Sequence, residues 1–86
     1  MDIVWTRHAR EKFLERSLKY DINYAEVDIQ IKAQKVKQKQ LHGTIKTVFE
    51  LKDTIFTVIK EETKKLINVV SIWESNEAEV ELWKKK

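Results

Sequence analysis

The sequence predicts an α+β domain in which two amino-terminal helices pack on one side of a curved antiparallel sheet and a short helix closes the chain. Three observations predict it. The hydrophobic period changes once, near Lys35, from helical to alternating, and does not switch back and forth as it would in a parallel α/β chain. Four alternating or β-branched runs then follow, separated by short polar turns. Finally, 86 residues with 42% hydrophobic and 36% charged side chains hold enough apolar material for one core and not for two, so residues 1–86 form a single domain.

Asp2 to Trp5 is short and apolar enough for a strand. Thr6 then caps a helix, its hydroxyl accepting a backbone N–H from two or three residues on. At 100° per residue Ala9, Phe13, Leu14, Ser17 and Leu18 fall on the core side, with His8, Lys12, Glu15, Arg16 and Lys19 opposite. Asp21 ends that pattern. Asn23 and Glu26 form a capping box, framed by the hydrophobic staple of Ile22 and Val27, and start a second helix that runs to about Ala33 with Tyr24, Val27 and Ile31 as its core row.

Strands are expected over 36–41, 44–52, 54–60 and 66–73, joined as an antiparallel meander through His42-Gly43, Asp53 and residues 61–65. In this reading Ile45, Thr47, Phe49 and Leu51 share an apolar face with Ile55, Thr57 and Ile59, and Phe56, Val58, Val69 and Trp73 load the other face of the last two strands, so both faces of that part are covered. Asn76 with Glu79 opens a terminal helix that places its acids first and its lysines last, as the helix dipole favours, and Trp83 with Val80 docks it.

Several function classes are set aside by what the chain lacks. It has no cysteine, hence no disulfide and no zinc-thiolate cluster, and its two histidines have no neighbours at metal-ligand spacing. Gly43 is the only glycine, which removes glycine-rich phosphate loops. No run reaches the roughly 18 apolar residues of a membrane span, and the amino end lacks the basic start and apolar run of a signal peptide, so a cytoplasmic protein without membrane or cofactor is expected.

Net charge is only +3, but it is unevenly spread. From Lys32 to Lys46 there are five lysines, three glutamines and no acid, whereas Glu74, Glu77, Glu79 and Glu81 gather near the carboxyl end. Lys35, Lys37 and Lys39 project from one face if this segment is a strand, at about 7 Å spacing, and can track a phosphate backbone, with His42 and Lys46 extending the region. The plain alternative is an edge strand charged against aggregation. A second cationic group is the row His8, Lys12 and Arg16 at i, i+4 and i+8 of the first helix, suited to phosphate contacts; its alternative is a solvated face paired to Glu11 and Glu15.

The motif Thr6-x-His8-Ala9-x(6)-Arg16, followed by Ile22-x(3)-Glu26-Val27, with Glu15-Arg16 and Val69-Val70-Ser71-Ile72-Trp73, resembles a branch of small prokaryotic domains in the RelE/ParE toxin superfamily. The likeness covers nearly the whole chain up to Trp73. It implies a β-α-α-β-β-β(β) fold and a toxin paired with a cognate antitoxin protein. It also implies metal-independent cleavage of messenger RNA, in which His8 or His42 acts as base and Arg16, Lys37 and Lys39 clamp phosphate. Many active relatives carry a His or Tyr near the carboxyl end, and this chain has neither after His42. A non-catalytic binding module of the same fold, including a gyrase-blocking toxin, therefore stands beside the nuclease.

Overall fold

The computed structural model describes residues 2–85. Its order is β1 (Asp2–Trp5), α1 (Arg7–Tyr20), α2 (Tyr24–Ala33), β2 (Val36–Lys39), β3 (Ile45–Leu51), β4 (Thr54–Glu62), β5 (Leu66–Glu74) and α3 (Glu77–Lys84). All five strands join one sheet in the order β1-β5-β4-β3-β2. The meander from β2 to β5 is antiparallel, as the alternating runs predict, but β1 pairs with β5 in parallel, so the sheet is mixed. The expectation of a purely antiparallel sheet is corrected here. The two helices carry the chain across the sheet from β1 at one edge to β2 at the other, and β1 lies alongside the last strand.

Local signals set the element boundaries. The Thr6 hydroxyl accepts the Ala9 N–H at 3.1 Å, and both the Asn23/Glu26 and Asn76/Glu79 capping boxes are complete. Ile22 and Val27, the staple pair, are buried. Asp21 and Gln34 end their helices with left-handed backbone, φ 54° and 48°, satisfying orphan carbonyls as helix C-termini require. The β3–β4 turn also uses two left-handed residues, Lys52 (φ 48°) and Asp53 (φ 67°), the conformation that matches a two-residue hairpin to strand twist.

That turn decides which side chains share a face. It pairs Leu51 with Thr54, and hence Phe49 with Phe56 and Thr47 with Val58. Odd-numbered residues of β3 therefore lie beside even-numbered residues of β4. The grouping of Ile45, Thr47, Phe49 and Leu51 with Ile55, Thr57 and Ile59 is corrected accordingly: Phe56 and Val58 belong with Phe49, and Thr57 lies with Trp73 on the opposite face. One turn residue more or less would exchange the two sets.

On the face that carries Phe49 and Phe56, α1 and α2 supply the cover. Tyr20 meets Phe56 edge-on at 5.3 Å between ring centroids. Phe13 stacks on Tyr24 at 4.1 Å, and Trp5 meets both edge-on. The Trp5 indole donates to Asp28 at 3.0 Å, tying β1 to α2. Contrary to expectation, Leu14 and Leu18 are not in the core but 59% and 91% exposed. The helix rests on Ala9, Phe13 and the Tyr20 side, and residues 14 and 18 lie about 100° further round.

The opposite face receives α3, with Trp83 and Glu79 buried beneath it. Trp73, on that face, donates its indole N–H to Glu79 at 3.0 Å. This helix packs mainly on β3 and β4, and on the same face Val4 and Glu61 are exposed, so the expected cover of both faces is only partial.

Candidate nucleic-acid interface

Cross-strand register defines the open area. Gln38 pairs with Lys46, Lys46 with Ile59, and Ile59 with Ser71, so these four side chains form one row across four strands. His8 completes the row: its Nε2 lies 3.4 Å from the Ser71 hydroxyl. The next row towards the open end is Glu61, Asn68 and Val4. Val4 is 46% exposed, Glu61 is exposed, and Ile59, Asn68 and Ser71 are half-buried, as expected of a sheet face with no layer over it.

A β-bulge shapes this row. Ile59 pairs with Ser71 but Lys60 with Val69, leaving Val70 as the extra residue of β5. Such a bulge bends its strand and re-aims neighbouring side chains. Here it lies next to Ser71, where β1 ends and Thr6 takes over the pairing, its N–H bonding Val69 O and its hydroxyl Val70 O. The chain therefore leaves the sheet edge beside Ser71, and the first turn of α1 brings His8 onto it.

The lysine band is divided by the pleat and by the end of β2. Lys46 turns to the open face and forms an ion pair with Glu79 at 3.0 Å. Lys37 and Lys39 turn to the other face, where Lys37 lies 3.9 Å from Glu62. Lys35 precedes the strand, so it does not continue their alternation; its ammonium lies 6.0 Å from the Trp83 ring centre. His42 is exposed in the β2–β3 turn, beyond the edge strand opposite β1. His8 and His42 thus stand at opposite sides of the sheet, and one concavity does not hold both.

On α1 the row is continuous but partly engaged. The Arg16 guanidinium donates to Lys12 O at 3.2 Å and to Glu15 at 3.4 Å, and Lys12 lies 3.9 Å from the same carboxylate. The two contacts to Glu15 are exposed ion pairs, which are weak and exchangeable, whereas the bond to Lys12 O is half-buried.

Two acids that the sequence reading did not assign to a site are held ionised. Glu62 lies below the usual carboxylate range because the Lys60 ammonium hydrogen-bonds it at 2.9 Å, with further attraction from Lys60 and Lys37 outweighing burial. Lys60 itself is fully buried, and an i, i+2 Lys-x-Glu on a strand was the signal for that pair. For Glu79 burial is the largest influence and acts upward. The Asn76 backbone, the Trp73 indole, Lys46 and Thr57 together reverse it, and the net shift is downward.

Among the described residues, no group of three or more His, Cys, Asp or Glu is placed to hold a metal ion, and no helix is long and apolar enough to cross a membrane. Comparison with protein-family models, with curated proteins and with solved structures finds no match to this chain. Its chemistry has to be read from the open face itself: one imidazole, one ammonium and neutral polar groups in a row, about 5 Å apart from strand to strand.

Proposed function

We propose that this chain is an RNA-directed toxin of the RelE/ParE type, the partner of a cognate antitoxin, which binds single-stranded RNA across the open sheet face and cleaves it without metal. The observation that carries the reading is the row His8, Ser71, Ile59, Lys46 and Gln38. It offers a base, a cation and an apolar surface on which a nucleobase can rest, which are the parts a splayed single strand requires. An α+β chain with two helices between its first and second strands and a third helix after its last supports the reading at the level of fold class.

In this mechanism the ribose O2′ forms a bond to the adjacent phosphorus and the bond to O5′ breaks. The 2′-OH proton passes to the His8 imidazole, and the departing O5′ takes a proton from solvent. The products are a 2′,3′-cyclic phosphate and a 5′-hydroxyl. Lys12 and Arg16, on successive turns after His8, offset charge on the phosphorane.

The test is cleavage of single-stranded RNA in the presence of chelator, with end-group analysis. His8→Ala is expected to lower the rate about 10²- to 10⁴-fold, the usual loss for a positioned acid or base. His42→Ala is expected to leave it unchanged. A second reading, a module that binds RNA or protein without cutting, is favoured by the engagement of Arg16 with Glu15 and by the separation of the two histidines. Salt-dependent RNA binding with no cyclic-phosphate product would establish that reading over the nuclease, and gyrase inhibition without RNA binding would exclude both RNA-directed versions.

A further inference from the structure

The acidic segment and one residue of the basic band, Lys46, far apart in sequence, meet on the same face of the sheet. Lys46 stands at the border, with Gln38 and Ile59 beside it in the open row and Val48, two residues on along its own strand, beneath α3. Its ammonium is held by Glu79, which is 2% exposed.

Glu79 does more than its helix needs. A capping box requires only that Oε1 accept the Asn76 N–H, at 2.9 Å, while the Asn76 side chain accepts the Glu79 N–H; glutamine would serve as well. The charge is used elsewhere: Oε2 takes Lys46 at 3.0 Å. Resting on the reading of the open face as an RNA interface, we propose that α3 is a self-inhibitory cover in which the Glu79 carboxylate occupies the place of an RNA phosphate on Lys46.

A carboxylate and a phosphate oxygen are equivalent acceptors for an ammonium group. An incoming phosphate can take Lys46 while Glu79 keeps the Asn76 N–H and the Trp73 indole, so α3 need not unfold for the exchange. Glu77 and Glu81, exposed on the same helix, add repulsion against a polyanion without touching Lys46. The affinity of the open face is thereby set by an internal competitor as well as by its own cations.

The test measures binding of a short labelled uridine oligoribonucleotide at several salt concentrations. Glu79→Gln is expected to bind more tightly, with a log–log salt slope steeper by about 0.7, the contribution of one additional phosphate contact to a single strand. Lys46→Gln is expected to cancel that gain in the double variant. In the wild-type protein, addition of the oligonucleotide should move the carbon resonance of the Glu79 carboxylate, a readout that does not depend on how any variant folds. An unmoved resonance, or unchanged affinity in Glu79→Gln where wild type binds, overturns the proposal while leaving the RNA interface in place. So does an equal gain from Glu77→Gln with Glu81→Gln, because the effect is then general charge. Absence of binding by every form overturns the RNA reading and this inference with it.

Discussion

The two faces of the sheet differ in how far their cover extends. Under α1 and α2 the rows of Phe49, Phe56, Val58 and Ile72 are buried, and aromatic rings from both helices close over them. On the other face α3 covers Val48, Thr57 and Trp73, and the neighbouring row through Ile59 and Ser71 is left open. Ile59 and Phe56 are both large apolar residues of β4, three positions apart. The difference in their surroundings shows that an apolar side chain on a strand marks a core only where a second layer arrives.

The largest effect that sharpens this contrast is Phe56→Ala, expected to cost about 3–5 kcal/mol by removing a fully buried ring from a packed layer. Ile59→Ala is expected to cost about 1 kcal/mol, roughly half of a full side-chain burial. Denaturant unfolding of the two variants checks both. Equal losses would mean that the open face is covered in solution and would break the comparison. Asn23→Ala removes the cap of α2 and should cost about 1 kcal/mol, visible as a lower denaturation midpoint with unchanged m-value.

The smallest effect appears only in acid. The folded-state pKa values of Glu62 and Glu79 lie below the ordinary 4.5, so the folded protein binds protons less readily than the unfolded chain. The stabilisation from each carboxylate is therefore fully present above about pH 4.5 and is lost as the pH falls through the folded value. Glu79→Gln should flatten that acid limb of a stability–pH curve and leave the slope near neutrality unchanged. An acid limb identical to wild type would show that the Glu79 charge is not held on the α3 face as described.

Much of the framework is legible in the sequence. The Thr6, Asn23 and Asn76 caps are readable because a side-chain oxygen and a backbone N–H three residues on satisfy each other locally, and all three are present. The site was legible only in pieces. His8 and Lys46 were recognisable as candidate residues, but 38 positions separate them in the chain. Their common face depends on β1 ending beside Ser71 and on the register of three strand pairs. In sequence Lys37 and Lys39 share a band with Lys46, yet the pleat turns them to the other side. The spacing to Asn76 marks Glu79 as a capping residue, and its pairing with Lys46 depends on a sheet face that only folding brings to it.

The sequence by itself determined the element order, the helix starts, the four-strand meander and the separation of basic from acidic segments, because caps, turns and alternation act over a few neighbouring residues. Only the tertiary structure decided that β1 runs parallel to β5, that Leu14 and Leu18 face outward, and that Lys46 meets Glu79. It also decided that half of one sheet face stays open. These depend on long-range packing and on strand register, where a shift of one residue moves every side chain to the opposite face. Short-range signals fix the pieces and their order, and the choice of which apolar faces meet is made by the assembled layers.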